Sequence, residues 1–439
     1  MASEQYKLSF KKGLTGFMSS ALAIIAGLIF GFIILMIANS EQAVPGFLKI
    51  LQGGLAQSWQ GVGKVINYAI PIIMTGLSVA FAFRTGLFNI GASGQFMIGG
   101  FLAIYAGVKF SFLPPVVHWL VAFLLAIIGG AIWGAVPGIL KAYRNVNEVI
   151  TSIMMNYIAL YIINFLVPMT VYDRAKNQTR AVLASAKNPT LGLNQLLPKS
   201  NLDIGLLIVM GFVVVLFILV FKTTLGFELR ACGLNKDASR YAGINEKKSI
   251  VLSMVIAGVL SGVGGGLMYL GHTGTFYQVK ELIANQGFMG IPVALLGLSN
   301  PIGVFFAGLF IAHITVGGTN MQLFDFTVEI IDIIIASIIY FSAFSLLFKM
   351  LISKVLQRKY NKVARDAAAE TTSDTDAKSE IRIASDRDIE AHKEADKKEK
   401  IVPTSDDILV KNPRVLPNAH SVKESAEISS ESISKNEEE

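Results

Sequence analysis

The stretch FNIGASGQ, residues 88–95, is polar, glycine-rich and uncharged, although it lies between two apolar stretches. Its amides and its hydroxyl can hydrogen-bond a neutral solute that carries hydroxyl groups, and its phenylalanine rings can stack on a base or a sugar face. The residues that we assign to a substrate pathway here are Phe88, Asn89, Ser93, Gln95 and Phe96. The predicted chemistry is the binding and passage of a solute, without a reaction.

A second glycine-interrupted stretch, NQGFMGIP at residues 285–292, carries a similar set of side chains. From it we add Asn285, Gln286 and Phe288 to the predicted substrate pathway. Other roles stay open for both stretches, because amides also cap or stitch together broken helices and phenylalanines also pack against helices or lipid.

Several other kinds of chemistry are excluded by the sequence. GVGKV at residues 61–65 resembles a phosphate-binding loop, but Ser58 stands at the required first glycine, and Val65 replaces the Ser or Thr that would bind magnesium. Cys232 is the only cysteine, so the chain has no disulfide framework and no Cys pair for zinc. We expect no catalytic residue, no metal, no cofactor and no enzymatic activity.

The composition is that of an integral membrane protein. The 439 residues are 53% hydrophobic and have a mean hydropathy of +0.55, whereas soluble domains have roughly 45–50% apolar residues. The net charge of +7 arises in the hydrophobic part of the chain, where no basic patch alternates with aromatic residues outside the apolar stretches. We therefore attribute it to membrane topology and do not expect nucleic-acid binding.

Ten apolar stretches have the length of a membrane-spanning helix. We place them near 17–37, 65–83, 87–110, 116–140, 149–169, 204–221, 250–270, 281–298, 301–317 and 328–348. Ten spans divide into two sets of five, and because five is odd the second set runs inverted relative to the first. FNIGASGQ and NQGFMGIP fall in spans three and eight, which correspond, and such paired broken helices are typical of a transport site.

Basic residues are enriched on one side of the membrane when the N-terminus is placed in the cytoplasm. This distribution predicts a multi-pass protein of the plasma membrane with both termini cytoplasmic. After residue 350 the composition changes to Ser, Asp, Glu and Lys with few aromatics. We therefore predict a permease domain at 1–350 and a disordered cytoplasmic tail at 351–439.

The chain carries no energy source of its own, which leaves an ion gradient, a partner ATPase or passive flow. Glu329 and Asp332, one helical turn apart in the last span, are the acids that an ion-coupled carrier would use. They also fit the outer membrane interface near a helix N-terminus, where the helix dipole favours carboxylates.

The polar segment from Lys222 to Ser249 favours a partner ATPase. It combines charged residues and regularly spaced apolar residues with glycines at Gly226, Gly233 and Gly243. A short helix between glycine hinges, with a charged face and a few apolar anchors, is suited to docking on another protein.

Four sequence landmarks occur in the order found in one known family. They are FNIG followed by GQ at 88–95, RNVNEVITSIMMNYIA at 144–159, LGFELRACGLNKDASRYAGI at 225–244 and GFMGIPVALLG at 287–297. With them the chain resembles the membrane permeases of ATP-binding-cassette importers, in particular the nucleoside and simple-sugar permeases related to the ribose permease. The likeness spans most of residues 60–320. Two residues depart from the family's pattern: Ser93 stands where an acid is usual, and Pro292 stands in place of the usual Gly-Ile-Ala.

The resemblance implies an all-α membrane domain that pairs with a second, similar permease, two ATP-binding subunits and an extracellular substrate-binding lipoprotein. It places the region that couples to the ATPase at 225–244. The residues that it implies in coupling are Glu228, Arg230, Asn235, Arg240 and Tyr241. Asn147 and Glu148 match the family's Asn-Glu-Val sequence at the cytoplasmic start of span five, where Asn147 is also suited to cap the helix.

These observations predict the permease subunit of an importer for nucleosides, driven by ATP hydrolysis on partner subunits. Ser93 in place of the usual acid favours a neutral cargo with hydroxyl groups. The alternatives are a permease for ribose or another simple sugar, an ion-coupled transporter that uses Glu329 and Asp332, and a passive channel.

Overall fold

The structure, a computed structural model, describes residues 2–196, 200–324, 326–344, 347–348, 350–352 and 354. Its first helices are α1 (Ala2–Ala38), α2 (Ala43–Gln52), α3 (Ser58–Arg84), α4 (Ala92–Lys109), α5 (Pro115–Arg144), α6 (Glu148–Thr170) and α7 (Leu193–Leu196). The later helices are α8 (Gly205–Lys222), α9 (Thr224–Leu234), α10 (Lys236–Tyr241), α11 (Glu246–Tyr269), α12 (Asn285–Leu296), α13 (Pro301–Asn320) and α14 (Val328–Ala343). Between α6 and α7, β1 (Tyr172–Asp173) and β2 (Gln178–Thr179) form an antiparallel hairpin. The predicted tail, from residue 355 onward, lies outside the described residues.

Seven helices in the described part of the chain are long and apolar enough to cross a membrane: α1 from Met18 onward, α3, α5, α6, α8, α11 and α13. This confirms apolar helices at seven of the ten predicted places. At the other three places α4 has 18 residues, α14 has 16 and α12 has only 12. Because 12 helical residues extend about 18 Å, α12 is shorter than the ~30 Å hydrocarbon core. That the chain crosses the membrane at these three places, and that its two halves are inverted, remain predictions.

Glycines allow α5 and α11 to pack backbone against backbone. A Cβ added at Gly130 would lie 2.2 Å from the carbonyl oxygen of Gly258, and one at Gly262 would lie 2.4 Å from that of Ala126. The glycines recur every four residues on both helices, which places them on one face of each. Small residues at this spacing are the usual way for membrane helices to approach closely. The sequence analysis did not identify this interface.

The apolar core lies between α3, α4, α11, α12 and α13. Its fully buried side chains include Ile72, Met74, Val263, Val293 and Val304. A smaller apolar cluster joins α1 and α2 to α13 and α14, with Leu35 and Ile334 at its centre. Helices α5, α6 and α8 each keep a broad face of exposed apolar side chains, as expected for helices in contact with lipid.

A buried polar network lies beneath the hairpin, at what we call the hairpin end of the bundle. The Trp119 indole donates to Asn188 at 3.0 Å, and the Asn188 amide donates to Asp203 at 3.0 Å. Burial raises the pKa of the Asp203 carboxyl, although hydrogen bonds from Asn188 and from the backbone N–H of Gly205 partly oppose this rise. The network fixes the loops that close this end. The opposite end, where α3 ends and α6 and α9 begin, is called the α9 end.

Candidate functional site

The chain re-enters the bundle after α3. Gly86 adopts a left-handed conformation with φ of +73°, and the backbone N–H of Leu87 donates back to the carbonyl of Ala82. The next residues run inward, so that Asn89 meets Ser78, six residues before the last residue of α3. That contact lies ~9 Å inside the bundle, because each helical residue adds 1.5 Å. The start of α4 at Ala92 is therefore an interior helix end, as the glycine-rich pattern predicted.

Two amides join this interior segment to the helices around it. The Asn89 side chain donates to Gln95 at 2.8 Å and to Ser78 at 2.9 Å, and Gln95 donates back to Asn89 at 3.0 Å. The Ser78 hydroxyl in turn donates to the carbonyl of Ala257 on α11 at 2.6 Å. All three side chains are buried. In this conformation Asn89 and Gln95 thus stitch the broken helix to α3 and α11.

Asn156 of α6 caps α4 from outside that helix. Its side-chain oxygen accepts from the backbone N–H of Gly94 at 2.8 Å, and its amide donates to the carbonyl of Ile90 at 3.1 Å. The start of α4 has no capping side chain of its own, and its first N–H groups otherwise lack intrahelical partners. One buried amide therefore satisfies both a donor of the helix end and an acceptor of the loop before it.

Three buried hydroxyls have no hydrogen-bond partner among the described residues. They belong to Ser93, Ser152 and Ser261. Ser93 lies at the second position of α4, and Ser152 lies against Gly91 at the same helix end. A buried hydroxyl without a partner is unfavourable, so a group that supplies one would bind here with an advantage.

The first turn of α12 lies directly on the first turn of α4. A Cβ added at Gly287 would lie 2.3 Å from both the Cα and the Oγ of Ser93, so only glycine permits this contact. One turn further along α12, Gly290 lies equally close to the backbone of Thr75, whose hydroxyl donates to the carbonyl of Gln286 at 2.8 Å. The structure thus brings the two predicted broken helices together at their N-terminal ends.

The remaining predicted pathway residues differ in exposure. Phe96 is fully buried beside Tyr269, whereas Phe88 is half-buried and stacks on Phe83 at a centroid distance of 5.1 Å. On α12, Asn285 is exposed, and Gln286 and Phe288 are half-buried. The described side chains that are buried around these two helix ends carry hydroxyls and amides and no charge.

The segment after α8 forms two short helices at the α9 end. Side-chain caps begin each of them: Thr223 accepts from Gly226 at 3.0 Å, and Asn235 accepts from Ala238 at 2.9 Å. The apolar residues Phe227, Leu234 and Tyr241 are 63%, 89% and 94% exposed. Exposure of large apolar side chains outside the spanning helices is typical of a surface that another protein covers.

The predicted coupling residues take different positions in this segment. Glu228, Arg240 and Tyr241 are exposed, while Asn235 is the cap of α10. Arg230 is instead half-buried and lies over the ring of Phe221, the penultimate residue of α8. The backbones of Gly86 and Gly233 touch, so that α9 rests on the segment that leads into α4.

Asn147 and Glu148 begin α6 at the same end. Asn147 accepts from the backbone N–H of Val149 at 2.8 Å, which confirms the predicted helix cap. Glu148 forms an ion pair with Lys141 of α5 at 2.9 Å. Both contacts fix the connection between α5 and α6.

The acids proposed for ion coupling are not among the buried polar residues. Glu329 and Asp332 are exposed in the first turns of α14. Within the described ranges, no cluster of three or more His, Cys, Asp or Glu side chains is placed to bind a metal ion.

Sequence analysis missed the side chains that hold the site together. Ser78, Thr75 and Asn156 are small polar residues within long apolar helices, and each makes a tertiary hydrogen bond at the start of α4 or α12 or in the segment just before α4. An amide near the centre of an apolar span was the available signal for Asn156. Its partner was not apparent, because the contact depends on how α6 packs on α4.

Comparisons with known proteins match this chain to transport permeases. The sequence profile described as branched-chain amino acid transport system / permease component matches residues 61–350. The guanosine ABC transporter permease protein NupP of Bacillus subtilis (strain 168) is 37% identical over 351 residues, which are 80% of this chain and 99% of the relative. The nucleoside ABC transporter permease protein NupB of Lactococcus lactis subsp. cremoris (strain MG1363) is 35% identical over 338 residues, 76% of this chain and 92% of the relative.

A third relative is more distant. The guanosine ABC transporter permease protein NupQ of Bacillus subtilis (strain 168) is 26% identical over 271 residues, 60% of this chain and 84% of the relative. No solved structure matches this one.

Proposed function

This chain belongs to the branched-chain amino acid transport system / permease component family, and from that premise we propose that it is the permease subunit of an ATP-binding-cassette importer for nucleosides. We infer the class of solute from the alignment with NupP and NupB, which covers almost their whole length. Their names specify guanosine and nucleosides. The chain is a transport subunit and not an enzyme. ATP hydrolysis takes place on its partners.

The chemistry at the start of α4 and α12 supports a neutral solute. The buried polar side chains there are hydroxyls and amides, and a charged solute would need a compensating charge in a buried site. A nucleoside carries ribose hydroxyls and an aromatic base but no charge at neutral pH. Ser93, which stands where the family usually has an acid, is consistent with such a cargo.

We place the substrate pathway between α4 and α12. In the described conformation α12 covers Ser93, so a solute reaches this hydroxyl after the two helix ends separate. The pathway residues on the α4 side are Phe88, Asn89, Ser93, Gln95 and Phe96, and those on the α12 side are Asn285, Gln286 and Phe288. Alternation between outward-open and inward-open states is the change that ATP hydrolysis drives.

We further propose that spans one to five and six to ten form inverted halves in the plasma membrane, with both termini cytoplasmic. The two interior helix ends support this arrangement: α4 runs from the interior toward the hairpin end, and α12 runs from the interior toward the α9 end. The α9 end is cytoplasmic, because it carries Arg84, Lys141, Arg144, Lys222, Arg230, Lys236, Arg240, Lys247 and Lys248.

The ATP-binding subunit docks on α9 and α10. The exposed residues Phe227, Leu234 and Tyr241 provide apolar anchors, and Glu228 and Arg240 provide charge beside them. Asn235 and Arg230 hold the two helices in place, Asn235 as a cap and Arg230 over Phe221. Asn147 and Glu148 support the neighbouring α5–α6 connection. Because Gly233 touches Gly86, a displacement of α9 reaches the segment that leads into α4.

A second, different permease completes the membrane part. Bacillus subtilis has two guanosine permease proteins, NupP and NupQ, and this chain is similar to both. The broad exposed apolar faces of α5 and α6 offer surfaces that such a partner, as well as lipid, can cover. An extracellular substrate-binding lipoprotein delivers the nucleoside, as in importers of this class.

An uptake experiment tests the proposal. Cells that lack nucleoside uptake receive this chain with its partner subunits, and uptake of labelled guanosine and labelled ribose is measured. We expect guanosine uptake that disappears when the ATP-binding subunit is replaced by a variant unable to hydrolyse ATP. Guanosine uptake that persists with that variant but stops with a protonophore would contradict the importer, and uptake of ribose alone would identify a sugar permease.

A further inference from the structure

Two arginines from different helices share one aromatic ring at the α9 end. The guanidinium carbon of Arg84 lies 5.6 Å from the centre of the Phe221 ring, and that of Arg230 lies 5.5 Å from it. Arg84 is the last residue of α3, Phe221 is the penultimate residue of α8, and Arg230 lies within α9. The three residues therefore join the last turns of α3 and α8 to α9.

Both guanidinium groups keep unused hydrogen-bond donors. Of its five N–H bonds, Arg84 uses two, to the carbonyls of Ser299 at 2.9 Å and Leu298 at 3.2 Å. Arg230 uses one, to the carbonyl of Gly226 at 3.2 Å. At least three donors of Arg84 and four of Arg230 have no acceptor within the described ranges.

The two positive charges are not neutralised by the described part of the chain. Its ion pairs join Lys141 to Glu148 and Lys236 to Glu246, and neither arginine takes part. The two arginines repel each other, and Arg84 is half-buried, which weakens the compensation by water. An anion between the guanidinium groups would remove this repulsion and accept hydrogen bonds from the N–H groups of both arginines.

The pair lies at a membrane boundary. Helix α8 is apolar from Gly205 to Phe221, and its side chains Val214 and Ile218 are 56% and 49% exposed. The ring of Phe217 contacts that of Phe221 at a centroid distance of 5.2 Å. A lipid-facing strip of α8 thus leads, over two turns, to the two arginines.

We propose that Arg84 and Arg230 form a binding site for the phosphate of an anionic phospholipid, whose acyl chain lies along the exposed strip of α8. Basic pockets between membrane helices on the cytoplasmic side are suited to such headgroups. A soluble phosphate has the same charge but makes no use of the apolar strip. The bound lipid links α3, α8 and α9 and therefore stabilises the α9 end. The proposal does not depend on the transported solute.

Native mass spectrometry of the purified permease in detergent tests the site. The protein is titrated with phosphatidylglycerol and, separately, with phosphatidylcholine, and bound copies are counted. We expect preferential binding of phosphatidylglycerol, reduced about tenfold or more in the Arg84→Gln/Arg230→Gln double variant. Arg144→Gln is the matched control, because Arg144 is exposed at the end of α5, at the same end of the bundle but not on α8, and this variant should bind the lipid as the wild type does.

Thermal unfolding in the same detergent separates the sources of phosphate. Phosphatidylglycerol should raise the Tm of the wild type and of Arg144→Gln, and inorganic phosphate should not. Arg230→Gln alone covers the case in which Arg84→Gln does not fold, since Arg84 also holds the 298–299 turn.

Three results would overturn the proposal. They are equal binding of the two lipids, an equal loss of binding with Arg144→Gln, and full stabilisation by inorganic phosphate. Loss of the ATP-binding subunit from the Arg230→Gln complex, with lipid binding unchanged, would instead assign the arginine to a carboxylate of that subunit. Each of these outcomes leaves ATP-driven nucleoside uptake as a separate question.

Discussion

Helices α4 and α12 meet at their N-terminal ends but are held there in different ways. Residues 92–100 of α4 are all buried, and the amides of Asn156, Asn89 and Gln95 tie its start to α6 and α3. The start of α12 has no side-chain cap and begins with an exposed Asn285. Two described hydrogen bonds join this start to other helices. The hydroxyl of Thr75 donates to the carbonyl of Gln286, and the backbone N–H of Ala284 donates to the sulfur of Met97.

This difference assigns the two helices different roles. Moving α4 would break several buried hydrogen bonds at once and leave their donors unsatisfied. Moving α12 away from Ser93 breaks few polar contacts and separates surfaces that glycines had allowed to touch. Only the first turn of α12 is held so weakly, since Val293 further along the helix lies in the apolar core, and a segment with few buried contacts opens at the lowest free-energy cost. We therefore expect α4 to be the fixed wall of the pathway and α12 the wall that moves.

The largest effect is expected from loosening the fixed wall. Asn156→Leu removes the partner of the Gly94 N–H, which is buried, and that of the Ile90 carbonyl, which is partly buried. Each unsatisfied group costs about 1–3 kcal/mol, so the Tm in detergent should fall by about 5 °C or more. Met154→Leu, at an exposed position of the same helix, is the control and should leave the Tm unchanged. An unaltered Tm for Asn156→Leu would mean that α4 is not fixed by this cap.

The next effect comes from keeping the two helix ends apart. In Gly287→Ala the added Cβ overlaps the backbone and hydroxyl of Ser93, so α12 cannot close on α4. We expect guanosine uptake to fall about tenfold, the equivalent of ~1.4 kcal/mol of overpacking, with less loss of stability than in Asn156→Leu. Gly211→Ala on α8 is the control. It makes the same substitution in another helix, but nothing lies within 4 Å of the added Cβ. Normal uptake by Gly287→Ala would show that this closed contact is not part of the transport cycle.

A smaller effect tests what the fixed wall offers to the solute. The Ser93 hydroxyl has no described partner, so Ser93→Ala should not lower the Tm. If the hydroxyl binds the nucleoside, the KM of guanosine uptake should rise about threefold to tenfold, the equivalent of one lost hydrogen bond. Ser152→Ala removes another buried hydroxyl without a described partner and serves as the control for burial. An unchanged KM together with an unchanged Tm would remove Ser93 from the pathway.

The sequence predicted the two helix breaks but not how they are held. Glycine and polar residues in an apolar chain indicate an interior helix end wherever they occur, because exposed backbone groups are tolerated only inside the protein. The pattern left two roles open for Asn89 and Gln95, and in the described conformation they bond to each other. The partnership of Asn156 with Gly94 joins residues 62 positions apart. It follows from the packing of α6 on α4, which local patterns do not specify.

The glycine contacts show the same limit. A glycine in a helix pattern indicates close approach without naming the neighbour, and Gly287 against Ser93 or Gly130 against Gly258 became apparent only from the packed helices. Length was also misjudged for span eight. The apolar stretch 281–298 suggested a full crossing. In the structure the chain is not helical over residues 281–284, and α12 begins at Asn285 and has 12 residues.

The smallest effect is expected at the tip of the moving wall. Asn285 is exposed and makes no described side-chain hydrogen bond, so Asn285→Ala should change the Tm by about 1 °C or less. If α12 approaches the solute only transiently, guanosine uptake should change by less than about twofold. A loss as large as that of Gly287→Ala would mean that the tip of α12 binds the solute directly. The moving wall would then share the recognition that we assign to α4, and the contrast between the two helices would concern stability alone.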